Sequence, residues 1–326
     1  MNADTHQPAV QATPTLALKA IYSRTLSSAT AVSQTHDKTI DLYAEDAGAS
    51  KNLDDLLARD DIQAVIIALP IPAQPAYIKR ALAAGKHVLA EKPVAKDVAT
   101  ARELIAWYRN GNEVKTGATL AIAEQYRYFE RFRYAAERVG EMGRVLGFRL
   151  RLNALVQPGS KYYETGWRKT PEYQGGFLLD GGVHFIAAIR LMLGSGGKMS
   201  RVSAFTAQLQ PHLAPLDTTN ATVKLENGSS GTIAISFGTT FTGAEWIVAC
   251  EKGTVQADRG KVTVIRDGEE SVKEFPDEGN GVKQEVQAWA ASLAEGKADR
   301  LQSPEEALAD LEIVSPTCLF LSLIHI

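Results

Sequence analysis

Apolar residues in the first third of the chain fall into short blocks that differ in spacing. Leu16–Tyr22 is a mostly apolar run ending in Ser23-Arg24, Ala64–Leu69 is a β-branched run stopped by Pro70 and Pro72, and His87–Ala90 is a third run. Continuous apolar runs of this length, bounded by polar or turn residues, predict buried strands. Between them, Leu53–Leu57 has helical spacing, Ala76–Ala84 predicts a helix closed by Gly85, and Lys96–Arg109 predicts another. Strands separated by helical segments predict a parallel sheet with crossover helices.

The pattern changes after about residue 120, so the expected division is 1–119 and 120–326. Ala121–Val139 reads as a helix and Val145–Val156 as a long strand. A glycine-rich helix is predicted over Leu178–Leu193, with Gly194 behind it. Strand-like segments follow at Val202–Leu209, Ala221–Leu225, Gly231–Phe237, Trp246–Cys250 and Val262–Arg266, with hairpin dipeptides at Asn227-Gly228 and Asp267-Gly268. Helices Lys283–Leu293 and Ser303–Val314 come last. The second opens with a Ser N-cap, Pro304 at the first helical position and Glu306 at the third. The second half therefore reads as α+β, with an open, mainly antiparallel sheet and helices on one face.

Composition narrows the function class. With 45% hydrophobic and 22% charged residues the chain is an ordinary globular one, and its net charge of −3 argues against a partner bound through phosphates, so no nucleic acid is expected. The two cysteines, Cys250 and Cys318, are far apart, which excludes a disulfide scaffold and a thiolate metal site. The last apolar stretch, Ser315–Ile326, is too short to span a bilayer, and Met1–Val10 lacks a secretory pattern. The expectation is a cytoplasmic protein that does not enter a membrane.

Two segments carry candidate chemistry. Glu91-Lys92-Pro93-Val94-Ala95 directly follows a predicted parallel strand. Ligands sit beyond the carboxyl ends of such strands, which would aim Lys92 at a ligand, although a solvated lysine before a helix fits the same spacing. In Gly175-Gly176-Phe-Leu-Leu-Asp180-Gly181-Gly182-Val-His184, Asp180 and His184 stand at i and i+4 and share a helix face. The glycines cost helix stability, so something must approach the backbone closely there. A core histidine bonded to Asp180 also fits.

Together these segments resemble the Gfo/Idh/MocA (glucose–fructose oxidoreductase / inositol dehydrogenase) family, with agreement in order and spacing from about Thr5 to Val314. The resemblance implies a Rossmann-type dinucleotide domain followed by the α+β domain. It also implies hydride transfer between NAD(P) and a carbinol or carbonyl of a sugar, polyol or related small molecule. It casts Lys92 as the lysine that reaches nicotinamide ribose and substrate oxygen. His184 becomes the general acid/base, with Asp180 orienting it or binding substrate hydroxyls. Trp167, Arg168 and Tyr163, and also Tyr162, resemble substrate-wall residues. Glu124-Gln125-Tyr126-Arg127 resembles the segment entering the second domain, with Gln125 and Arg127 toward the cofactor. Leu69, Pro70 and Glu91 complete the expected cofactor contacts. The second sheet is the expected surface for a homo-oligomer.

The strand ending at Tyr22 leads into Ser23-Arg24 and not into an acidic residue. A hydroxyl plus a guanidinium suits a 2′-phosphate, which favours NADP over NAD, although a surface arginine would look the same. The chain departs from the family in four places. The expected first strand and glycine-rich phosphate loop have no counterpart before Gly48, so Thr5–Thr13 resembles the end of the first family helix. Ala187 and Gln74 stand where Asp and His are common, and Pro316–Ile326 is an apolar tail without helical pattern. The alternatives are a catalytically silent, dinucleotide-binding member with a sensing or structural role and, more remotely, a metal-dependent hydrolase using Asp180 and His184.

Overall fold

The computed structural model describes residues 3–34, 40–115, 117–160, 163–164, 166–173 and 176–315. The apolar blocks of the first third become β1 (Ala20–Ser23), β3 (Ala64–Ile67) and β4 (His87–Glu91), joined by β2 (Asp41–Ala44) and β5 (Leu120–Ala123). They pair in parallel as two ladders, β1-β2 and β3-β4-β5. Helices α1 (Ala3–Gln11), α2 (Leu26–Ser33), α3 (Leu53–Leu57), α4 (Gln74–Ala83) and α5 (Val98–Asn110) alternate with them. Val88, Leu89 and Ala90 of β4 are fully enclosed, which explains an apolar run without polar alternation. Gly85 adopts φ +83° behind α4, the left-handed closing position that its place in the sequence predicts.

Among the described residues no strand precedes β1, and β1 and β3 belong to separate ladders. Thr5 and the residues after it are helical, as the family resemblance implied. A late helix, α9 (Val282–Glu295), completes this layer. Val282, Val286 and Trp289 pack with Ala9 and Val10 of α1, Leu89 of β4, and Ala121 and Ala123 of β5. That packing moves the domain division. One compact unit holds the chain up to Val94, Arg102–Ala123 and Val282–Pro304. The other holds Ala95–Ala101, Glu124–Gly281 and the chain from Glu305. A single cut at 119/120 misses the return because α9 buries its apolar stripe against α1, far away in sequence.

The second unit is built on eight strands: β6 (Val145–Asn153), β7 (Met199–Ala207), β8 (Thr218–Leu225), β9 (Ser230–Ser236), β10 (Gly243–Cys250), β11 (Gly253–Ala257), β12 (Lys261–Arg266) and β13 (Glu269–Glu274). Their order is β13-β12-β11-β10-β6-β9-β8-β7. Every neighbouring pair is antiparallel except β6-β9. Along β8 the residues alternate, with Ala221, Val223 and Leu225 buried and Asn220, Thr222 and Lys224 exposed. This is the period-two pattern of a sheet with one covered face.

Helices α6 (Glu130–Gly140), α7 (Gly166–Lys169), α8 (Gly176–Leu193) and α10 (Pro304–Val314) complete the second unit. Trp246 of β10 fixes α8 to the sheet, its Nε1 donating to the Phe185 carbonyl at 3.0 Å. The stretch from Gly176 to Gly197 is long and apolar enough to cross a membrane by composition, but 78% of its most apolar window is buried. The acidic edge strand β13 and the short β11 were not anticipated.

One expected helix is corrected. Ala121–Val139 divides into the end of β5, a 3-10 turn over Gln125–Tyr128, and α6. A four-residue apolar run cannot be told from a helical turn by periodicity, and pairing with β4 decides it.

Candidate functional site

In the first unit the carboxyl end of β4 delivers Glu91, Lys92 and Pro93. Lys92 is half-buried. Glu91 is buried, and its Oε1 lies 2.8 Å from Nε2 of His6 on α1. Glu91 therefore ties α1 to the turn that carries Lys92, a role the expectation of a cofactor contact did not include. Gln74, fully buried, backs the same turn, with Nε2 donating to the Pro93 carbonyl at 3.4 Å. Leu69 is half-buried and Pro70 exposed in the turn after β3, where Ala73 N donates to the Pro70 carbonyl.

At the end of β1, Ser23 is half-buried and Arg24 exposed. Thr25 caps α2 by accepting from Ser28 N, and the Asp46 carboxylate accepts from Leu26 N at 2.6 Å. Asp46 thus takes a helix N-terminal donor that an anion would otherwise use. The sequence reading overlooked it because β2, whose end it follows, had not been identified.

In the second unit His184 stands on α8, one turn beyond Asp180, as the spacing predicts. The partnership differs. His184 Nδ1 lies 2.7 Å from Oε1 of Glu124, and Asp180 Oδ2 accepts from Arg168 Nε at 2.7 Å. The carboxylate that meets the Nδ1 edge of the imidazole is that of Glu124, where Asp180 was expected. Glu124 directly follows β5, caps the 3-10 turn by accepting from Tyr126 N at 3.2 Å, and is only 1% exposed. An acidic residue immediately after a strand end was the available signal, but reading the segment as one helix hid it. The Tyr126 ring stacks on the imidazole, with centroids 4.9 Å apart and planes 18° apart. No hydrogen bond to His184 Nε2 exists among the described residues.

The Arg168–Asp180 pair is nearly buried and fastens α7 to the start of the second turn of α8. Burial, with the Asp180 carboxylate adding to it, pushes the nearby Tyr173 hydroxyl well above its ordinary range, so this phenol stays protonated. Tyr163 is half-buried and meets His212 edge to face at 5.3 Å, and His212 Nε2 is 2.8 Å from the Val156 carbonyl. Gly175, Tyr162, the tail Pro316–Ile326 and the side chain of Trp167 lie outside the described residues.

One further expectation is corrected. Arg127 is 3% exposed, and its guanidinium is committed to the Asp310 carboxylate and the Glu306 carbonyl on α10. It is an interior ion pair and not a cofactor contact. Gln125 packs against Gly281, where an added Cβ would come within 3.0 Å of the Gln125 carbonyl oxygen. The glycines of α8 also have protein neighbours. A Cβ on Gly181 would lie 2.8 Å from Phe237 Cζ, and one on Gly182 would lie 2.8 Å from Val314 Cγ2. The close approach inferred from the glycines is that of two side chains at Gly181 and Gly182 and of the Ala214 backbone at Gly176, where an added Cβ would collide with the Ala214 carbonyl oxygen. No group of three His, Cys, Asp or Glu able to hold a metal occurs among the described residues.

Residues 1–116 match a family model described as an oxidoreductase family with an NAD-binding Rossmann fold, and residues 132–256 match the GFO/IDH/MocA C-terminal domain. The chain is 41% identical over 317 residues to Dehydrogenase FPY6 of Fusarium mangiferae, covering 95% of this chain and 90% of that protein. It is 28% identical over 261 residues to D-xylose 1-dehydrogenase (NADP(+)) 2 of Haloferax volcanii, covering 77% and 75%. Among solved structures, an oxidoreductase from Thermotoga maritima superposes with a TM-score of 0.84 at 29% identity, over 98% of this chain and 93% of that one. A 3-ketoreductase from Actinomadura kijaniata, solved with NADP and TDP-benzene, shares the fold with a TM-score of 0.73 at 22% identity, over 96% and 92%. Two motifs, a parallel α/β unit, an open mixed sheet and these relatives agree: the chain belongs to the Gfo/Idh/MocA family of oxidoreductases, with an NAD-binding Rossmann unit followed by the family's C-terminal domain.

Proposed function

We propose that this oxidoreductase interconverts a carbinol and a carbonyl on a small sugar, polyol or related molecule, with NADP preferred over NAD. The observation that carries the reading is His184, whose Nδ1 is held by a buried carboxylate while Nε2 makes no hydrogen bond among the described residues. Oxidising a carbinol requires removal of its hydroxyl proton, and imidazole exchanges protons near neutral pH. His184 takes that proton at Nε2 in the oxidative direction and returns it in the reductive one. The Lys92 ammonium stabilises the oxygen as negative charge develops on it. Arg168 and Asp180, already paired, and Tyr163 present hydrogen-bonding groups suited to substrate hydroxyls.

The donor set at the end of β1 fits the cofactor. Ser23 offers a hydroxyl and Arg24 an exposed guanidinium, while the Asp46 carboxylate at the start of α2 is engaged by Leu26 N. With Leu26 N–H taken by Asp46, the 2′-phosphate contact falls to Arg24. The nicotinamide supplies the hydride acceptor or donor when bound. The relative named as an NADP(+)-dependent D-xylose 1-dehydrogenase supports both the cofactor and the substrate class.

The test is titration with NADPH and NADH, followed by NADP reduction assays with D-xylose, D-glucose and myo-inositol. NADPH should bind more tightly. On the substrate turned over, His184→Asn should lower kcat by about 10²–10⁴-fold with NADPH affinity retained. Near-normal turnover of His184→Asn would overturn the proton-transfer role, and tighter binding of NADH would overturn the cofactor preference.

A further inference from the structure

We infer that Glu124 is a positioning residue that fixes the ring proton of His184 on Nδ1, which reserves Nε2 for proton exchange. The inference rests on the reading of His184 as the acid/base group, but its structural half stands on geometry alone. Glu124 Oε1 accepts two hydrogen bonds, from Tyr126 N at 3.2 Å and from His184 Nδ1 at 2.7 Å. An ionised carboxylate can only accept, so the hydrogen between it and the ring must sit on Nδ1. Which ring nitrogen is protonated follows from the hydrogen bond that the other one makes.

Two features keep this arrangement single. The first is charge. Glu124 lies within Coulombic reach of the buried Arg127 guanidinium, which favours its ionised form, while the neighbouring Asp310 carboxylate is itself bonded by Arg127 and Arg190. The second is the ring's own cage. Tyr126 stacks on the imidazole and is itself held edge-on by Phe129 at 5.2 Å and by Phe185 at 5.6 Å. A half-turn of the ring, which would exchange Nδ1 with a carbon, gives up the Glu124 bond and leaves a carboxylate that is 1% exposed without it. The orienting acid comes from the chain just after β5 and not from α8, so replacing Asp180 leaves the tautomer untouched.

The test reads the tautomer directly. In protein carrying ¹⁵N-labelled histidine, long-range ¹H–¹⁵N correlation above pH 8 shows which nitrogen of each ring is protonated, and the His184→Asn spectrum assigns the signal. The unaltered protein should show His184 with a protonated Nδ1 and a bare Nε2. Glu124→Leu, close in volume and without an acceptor, should lose that signature and populate the Nε2–H form. Glu124→Gln keeps an acceptor oxygen for Tyr126 N and Nδ1 and should restore it. On a substrate found in the assays above, Glu124→Leu should lower kcat by about 10²-fold or more, with KM and NADPH affinity within about threefold. A proton on Nε2 in the unaltered protein, or an unchanged His184 signal in Glu124→Leu, would overturn the inference. If Glu124→Leu does not fold, the spectra of the unaltered protein and Glu124→Gln decide it. A bare Nε2 together with full turnover of His184→Asn would leave the positioning role standing and remove only the acid/base assignment.

Discussion

Replacing Asp310 by Asn should destabilise the second unit severely. Asp310 on α10 is 2% exposed and lies between two guanidiniums. Arg127 donates to its Oδ2, and Arg190 donates to its Oδ1 at 2.5 Å. Arg190 also reaches Glu306, one turn earlier on α10, at 2.8 Å. The network places two cations against two carboxylates, and only Arg190 and Glu306 have appreciable contact with water. Asp310→Asn keeps the volume but removes the anion that Arg127 bonds, leaving Glu124 and Glu306 as the opposite charges near that guanidinium. Removing one member of a buried pair costs about 3–5 kcal/mol, and a unit of this size loses about 2–4 °C per kcal/mol. The expected fall in Tm, measured by calorimetry and circular dichroism, is about 6–20 °C. Glu306→Gln, more exposed, should cost under about 1 kcal/mol. Arg127→Met combined with Asp310→Leu should recover most of the loss, because apolar groups of similar size replace a buried pair with little penalty. The reasoning fails if Asp310→Asn melts within about 2 °C of the parent. It fails equally if Arg127→Met weakens NADPH binding at unchanged Tm, since Arg127 would then be serving the cofactor.

Arg24→Ala should weaken NADPH binding by about tenfold or more and leave NADH nearly unchanged, because a guanidinium–phosphate bond is charge-assisted and worth about 1.5–3 kcal/mol. Equal loss for both cofactors in isothermal titration would rule out a 2′-phosphate contact. Burial holds the His87 imidazole below its ordinary range, so the folded state binds that proton less readily than the unfolded chain does. Its contribution is present above about pH 6.5 and is lost as pH falls below it, so His87→Gln should show a smaller drop in urea midpoint from pH 7 to pH 5, and parallel curves would contradict this. Gly182→Ala drives a methyl to 2.8 Å from Val314 Cγ2 and should cost about 1–3 kcal/mol, less the helix-propensity gain of about 1 kcal/mol. Adding Val314→Ala should yield less than the sum of the two losses in denaturant melts, and simple additivity would show that the contact is not the cause.

Much of the fold was legible because its signals were local. The β-branched run at Ala64–Leu69, the left-handed glycine at Gly85 and the Ser303-Pro304 start each state their own structure. The family was legible for the same reason, since Lys92 and His184 sit in contiguous motifs. What stayed hidden depends on partners distant in sequence. Nothing near Arg127 announces Asp310, and nothing near His184 announces Glu124, sixty residues earlier. The i, i+4 spacing correctly put Asp180 and His184 on one face, but a shared face is not a bond, and Arg168 won the carboxylate. The α8 glycines were rightly read as a close approach. What approaches is shown only by Phe237, Val314 and the Ala214–Pro215 backbone, all distant in sequence from α8.

The return of α9 to the first unit has a consequence for synthesis on the ribosome. The apolar side of α1, carried by Ala9 and Val10, finds its covering residues Val286 and Trp289 only after some 270 further residues have been translated. Until then that stripe is open to other nascent chains, whereas most neighbouring strand pairs of the larger sheet close within tens of residues. Late closure of distant contacts slows folding and prolongs the exposure of apolar surface. Synthesis should therefore pass through a stage in which Glu124–Gly281 has begun to condense while the nucleotide-binding layer still waits for its last helix, and a chaperone that grips apolar helices would find its longest window there.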